Sequence, residues 1–196
     1  MRISEHEASQ ALREIQDAAH QVRQRSAHYM VGPILILWGV VWSACYLITQ
    51  FAPAISGWGW LVGDTIGLGG TGLIAWIAVR RAPVRSKTSD RIGRRVGWFW
   101  FALFSYAGIW LAMFWPWNGD QIGVFLVTLV MFAYLVMGLW LEVPFLTGLG
   151  LAVTALAAGG YFASMFFFPG YLSLWMAVTG GGALLSSGIY LVRKWG

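Results

Sequence analysis

Charged residues are scarce in this sequence. Asp, Glu, Lys and Arg together make up 11% of its 196 residues, whereas a soluble domain contains about 25%. Apolar residues make up 58% of the chain, and the mean hydropathy is +0.65. This composition excludes a water-soluble globule and a disordered chain, and it predicts an integral membrane protein.

Cysteine is almost absent, because Cys45 is the only one, and so no intramolecular disulfide can form. Catalytic signatures are also missing: there is no HExxH, GxSxG or P-loop motif, and no pair of carboxylates within an apolar run. His6, His20 and His28 are too far apart on one helix to share a metal ion. We therefore predict a protein that is not an enzyme and that needs no metal or cofactor.

Six long apolar runs lack Lys, Arg and His altogether: 30–51, 60–79, 96–115, 122–141, 144–168 and 171–192. Each has about the length of a membrane-spanning helix, and a helix satisfies its backbone polar groups within lipid. The predicted fold class is all-α, a polytopic bundle of six transmembrane helices within residues 29–196. We expect three helical hairpins in series, preceded by a cytoplasmic amphipathic helix in residues 1–28.

All thirteen Lys and Arg residues fall in three segments: the first 25 residues, the stretch 80–95 and the C-terminal end. Six spans place these segments on one face, which the positive-inside rule assigns to the cytoplasm. This predicts a bacterial-type inner (plasma) membrane, with both termini cytoplasmic, and the topology leaves no need for nucleic acid as a partner. Seven basic residues are expected to contact anionic lipid head groups: Arg80, Arg81, Arg85, Lys87, Arg91, Arg94 and Arg95.

The N-terminal segment has the pattern of an amphipathic helix. Ser4 and Glu7 have the spacing of a capping box, and apolar residues then recur at four-three spacing up to Tyr29. Two interpretations stay open. Residues 4–29 could bind a protein surface, which would be the inner loop, a second copy or a different partner, or they could extend the first span into solvent.

Small residues recur at helical spacing in three of the spans. Such residues let membrane helices approach closely, and we predict tight packing at Gly63, Gly67, Gly70, Gly148, Gly159, Gly180 and Gly182. The alternative for the run 180–182 is that its glycines permit local unwinding at a binding site.

Asp64 is the most informative polar residue, since it lies in a span near the expected outer side, where the sequence places no Lys, Arg or His. As a first-turn residue it would complement the dipole of the second helix. As a buried residue it would bind a proton or a cation. Asp120, just before the fourth span, is expected to cap that helix.

Two functional hypotheses follow. The first is a non-catalytic inner-membrane subunit or regulator that acts through its N-terminal helix and its glycine-lined helix faces. The second is a small transporter or channel, in which Asp64 and the outer ends of spans two and six line the path.

Overall fold

The structure is a computed structural model. It describes Gln10, residues 30–81 and residues 87–195. The side chains of these residues are also described, except at 81, 87–90 and 195. The predicted N-terminal helix and the middle of the basic loop lie outside the described residues. The described residues form helices and turns, with no strand.

Six of the described helices are long and apolar enough to cross a membrane, as the sequence predicts. The first is α1, Met30–Phe51. The others are α2 (Ser56–Arg81), α3 (Lys87–Met113), α4 (Gly119–Trp140), α5 (Pro144–Phe166) and α6 (Leu172–Lys194). A 3₁₀ turn, Pro53–Ile55, precedes α2, and α6 contains a π-helical turn, Ala177–Gly181.

The turns between the helices have local causes. Pro144 occupies the first turn of α5, where its missing N–H leaves no hydrogen bond unmade. Asn118 caps α4, since its side chain accepts from the N–H of Gln121 at 2.7 Å while Gln121 accepts from the N–H of Asn118. The prediction that Asp120 caps α4 is therefore wrong, and Asp120 lies in the first turn instead.

We call the end of the bundle with the turns at 52–55, 114–118 and 167–171 the turn end, and the other end the basic end. Consecutive helices run antiparallel between them. Along α2, Gly59 faces Ile48 near the turn end, whereas Gly70 faces Leu37 deeper in the bundle.

Burial divides the helices into two groups. The buried fraction of an apolar 18-residue stretch in each helix is between 28% and 39% in α1, α4, α5 and α6. It is only 6% in α2 and in α3. Helix α4 packs extensively on α5, while α3 packs on α4 and hardly contacts α2. The predicted hairpins pair α1 with α2, α3 with α4 and α5 with α6. Helices within each pair contact one another, but α4 packs more extensively on α5 than on α3, and three hairpins in series stays a prediction.

Candidate membrane interaction site

Asp64 lies deep in α2 and not in its first turn. The helix begins at Ser56, eight residues earlier, which is about 12 Å along the axis at 1.5 Å per residue. The first turn of α2 contains no acidic residue. The first-turn explanation of Asp64 is therefore wrong, because the sequence-based estimate started this helix at Trp60.

The carboxylate of Asp64 has no partner within the described chain. Its side chain is partly buried, and no hydrogen bond or ion pair to it occurs among the described residues. Ionised groups within a membrane span are costly, and they usually pair with one another or face a polar cavity. An acid in this position therefore calls for a partner from elsewhere.

Several polar side chains at the turn end bond to other groups of the bundle and not to Asp64. Trp60, one turn earlier, donates its indole N–H to Thr49 Oγ1 at 3.1 Å. Its ring packs edge-on against Tyr46, with the ring centroids 4.9 Å apart. The Tyr46 hydroxyl in turn donates to the carbonyl of Gly123 in α4, at 3.5 Å. These groups hold α1, α2 and α4 together at the turn end.

One side of α2 carries Asp64 between two exposed leucines. Leu61 and Leu68 are 58% and 62% exposed, and at 3.6 residues per turn both lie within about 60° of Asp64. We call Leu61, Asp64 and Leu68 the Asp64 face. The described helices leave both leucines exposed, whereas Asp64 between them is partly buried.

The adjacent side of α2 holds its predicted glycines, and these contact α1. A Cβ on Gly63 would meet Cys45 Sγ, and one on Gly67 would lie 2.7 Å from the Trp38 ring. A Cβ on Gly70 would lie 2.6 Å from a Leu37 methyl. Trp38 also donates its indole N–H to Thr71 at 3.0 Å, which joins the two helices in mid-span.

In α5 the structure differs from the packing prediction. A Cβ on Gly148 or Gly159 would have no neighbour within 4 Å in the described chain. The close contacts occur at Gly150, which faces the carbonyl of Met131, and at Gly160, which lies under the Trp175 indole. The spacing predicts small residues on one side of α5, but α5 also has small residues on a second side. Helices α4 and α6 cover this second side, which contains Gly150 and Gly160.

The uncovered stripe of α5 runs through most of the helix. Gly148, Ala152, Ala155 and Gly159 are all exposed, and their spacing places them within about 60° of one another. We call these four residues the small-residue stripe. It has the geometry with which a second membrane helix can approach closely.

The glycine run of α6 coincides with the π-helical turn. Gly180 is buried, with Trp42 Cε3 3.7 Å from its ideal Cβ position, whereas Gly182 has no described neighbour within 4 Å of that position. The tight contact is at Gly181, against Ser43 of α1. The Ser43 hydroxyl donates to the Ala177 carbonyl at 3.2 Å, so the altered hydrogen bonding of the π turn is stabilised by α1.

The structure does not bring Asp64 and the α6 glycines together. Helix α2 contacts α1 at Val41 and Cys45, whereas α6 contacts it at Gly39 and Ser43. These two pairs lie on opposite sides of α1. Residues 39 and 41 are two positions apart, as are residues 43 and 45, and two positions correspond to about 200° around a helix. Helix α1 therefore separates Asp64 from α6, and the expected path between spans two and six is not assembled.

Of the seven basic residues expected to contact lipid head groups, four have described side chains, and all four are exposed at the basic end: Arg80, Arg91, Arg94 and Arg95. The Arg80 guanidinium lies 4.0 Å from the centre of the Trp76 ring, a cation–π contact. The side chains of Arg81 and Lys87, and the whole of Arg85, lie outside the description.

Sequence reasoning missed Gln50, which joins α1 to the start of α6. Its amide donates to the Gly170 carbonyl at 3.1 Å and accepts from the N–H of Leu174 at 3.3 Å. Gln50 thus satisfies a free N–H in the first turn of α6. The available signal was a lone amide at the end of an apolar span, close in the bundle to a Pro-Gly turn.

Comparisons with known protein families, with curated proteins and with solved structures gave no match to this chain.

Proposed function

We propose that this protein is a non-catalytic membrane subunit that joins a larger assembly through helix faces that its own fold leaves uncovered. The observation that carries the proposal is the small-residue stripe of α5, whose four members are exposed. Lipid chains gain nothing from a groove of glycine and alanine, whereas a packed helix gains dispersion contacts along it.

The packing of the other helices supports the same proposal. Polar side chains of α1 bond to backbone groups of α6, as at Ser43 and Gln50, which favours a solid scaffold over a pore. The exposed arginines at the basic end favour a cytoplasmic location for that end, in a bacterial-type inner membrane. The N-terminal segment 4–29 remains a second proposed contact with a protein partner.

Bulky residues in the small-residue stripe test this proposal. We expect the pair Gly148→Leu and Gly159→Leu to keep the monomer folded but to reduce the mass of the particle extracted from native membranes in a mild detergent. Gly108→Leu is the matched control, because Gly108 is exposed on α3 with no described neighbour within 4 Å of its ideal Cβ position. A wild-type particle of monomer mass, or equal masses for all variants, would contradict the proposal.

A transporter or channel is the second candidate, favoured by the unpaired carboxylate of Asp64. It predicts a proton- or ion-dependent flux in proteoliposomes that Asp64→Asn abolishes. The position of α1 between Asp64 and α6 weakens this candidate, because no path joins the residues that were expected to line it. Absence of flux with every ion and solute tested would remove its support.

A further inference from the structure

We propose that the Asp64 face of α2 binds a transmembrane helix of a different protein, and that this helix carries a Lys or Arg at the depth of Asp64. The inference rests on the proposed function, since it names a partner within the proposed assembly. Charge complementarity carries it: an unpaired carboxylate lies in a span, flanked by exposed leucines one turn away on either side.

The membrane spans of the same chain do not supply the opposite charge. Residues 30–79 and 96–192 contain no Lys, Arg or His. Along α2 the next basic residue, Arg80, is sixteen positions from Asp64, which is about 24 Å along the helix axis. The Arg80 side chain is also directed onto the Trp76 ring.

A second copy does not supply the charge either. Two copies inserted in the same orientation place all their basic segments at the same end of the membrane, away from both Asp64 residues. The complementary cation must therefore belong to a different chain. The exposed leucines on both sides of Asp64 provide the apolar contact that such a helix needs.

The depth of the partner's charge follows from the position of Asp64. Because Asp64 is about 12 Å from the start of α2, the partner should carry its basic residue about eight positions from its own end at the turn-end side. The carboxylate should favour a basic helix over a purely apolar one. An apolar helix would leave Asp64 unpaired, and an unpaired charge in hydrocarbon is costly in free energy.

Model helices test the inference without knowledge of the partner. The purified full-length protein is reconstituted in nanodiscs with a fluorescent oligo-leucine helix of about 22 residues. The helix carries Lys, Gln or Leu at its eighth position, and energy transfer from a label on the protein reports binding. We expect the Lys helix to bind about tenfold more tightly than the Leu helix, with the Gln helix between them.

Variants at two acids provide the controls. Asp64→Asn should remove the preference for the Lys helix, whereas Asp64→Glu, which keeps the charge, should retain most of it. Asp120→Asn removes an exposed acid at the start of α4 and should leave the preference unchanged.

The inference is overturned if wild-type protein binds the Lys and Leu helices equally, or if Asp64→Asn keeps the preference. The outcome is separable from that of the α5 experiment, because the model helices probe only α2. If the wild-type protein shows no preference for the Lys helix while its native particle is larger than a monomer, only the inference is overturned. A retained preference together with a native protein of monomer mass overturns the proposed function alone.

Discussion

Helix α1 packs against α6 and against α2 through glycines, but the two contacts differ in kind. Opposite α6, a Cβ on Gly39 would lie 2.5 Å from the backbone nitrogen of Leu185, and one on Gly188 would lie 2.7 Å from the Gly32 carbonyl. Opposite α2, the atoms met by Gly67 belong to the Trp38 side chain. The first contact joins two backbones, and the second places side chains over glycines.

This difference, together with the packing of α6 on α5, accounts for the different burial of two helices of similar hydropathy. In α6, 39% of the apolar 18-residue stretch is buried, against 6% in α2. A backbone contact brings the helix axes close, so that neighbouring residues on both sides also become buried. A side chain over a glycine holds the helices further apart and leaves the rest of α2 for lipid or for a partner.

The largest effect should come from filling the α1–α6 contact. Gly39→Ala is expected to lower the free energy of unfolding by about 3 kcal/mol, because backbone atoms cannot move aside as side chains do. Reversible unfolding in mixed micelles with increasing SDS measures the change. Gly108→Ala, at an exposed glycine, is the control, and a smaller loss for Gly39→Ala than for an α2 glycine would break the comparison.

A moderate effect is expected for the α1–α2 contact. Gly67→Ala places a methyl group against the Trp38 ring, but the indole can tilt to relieve part of the overlap. We expect a loss of about 1 kcal/mol in the same unfolding assay. An accompanying shift in tryptophan fluorescence would locate the change at the ring, whereas an unchanged stability would argue against this orientation of α2.

A smaller effect should follow from removing one hydrogen bond between these helices. Thr71→Val keeps the shape of the side chain but removes the acceptor of the Trp38 indole N–H. Hydrogen bonds between membrane helices contribute about 0.6 kcal/mol on average, and we expect a loss of that size. Thr65→Val is the control, because Thr65 is exposed and bonds only within its own helix; equal losses would contradict the interhelical role of Thr71.

The smallest effect on the isolated chain should come from the small-residue stripe. Gly148→Ala and Gly159→Ala add methyl groups where no described atom lies within 4 Å. We expect the free energy of unfolding to change by less than about 0.5 kcal/mol. A loss of 2 kcal/mol in purified monomer would mean that the chain itself covers the stripe.

The number of spanning helices could be predicted from the sequence, because apolar length alone determines it. The sides that the helices present to each other could not. Helix α5 has small residues on two sides, and spacing alone does not show that Gly150 and Gly160 are covered while Gly148 and Gly159 are not. Which side of α5 is covered depends on the shapes of α4 and α6, and the sequence pattern of α5 contains no information about those shapes.

The candidate site was predicted only in part. The lack of a cation near Asp64 is visible in the sequence, because the basic residues are so strictly confined. Its depth was underestimated, since the second span was expected to begin at residue 60, whereas Ser56, Gly57 and Trp58 already form the first turn of α2. A helix that begins earlier moves Asp64 from a terminus into the span.

The orientation of α2 is the central claim, and the only native cysteine offers a direct test of it. Gly63→Cys places a second thiol against Cys45, whereas Ile66→Cys places one on an exposed part of α2. After oxidation with iodine in the membrane, counting free thiols by mass spectrometry shows which pair has joined. We predict an intramolecular disulfide in the Gly63→Cys protein and none in the Ile66→Cys protein. A disulfide in the second alone, or in both, would contradict the assignment of the glycine side of α2 to α1.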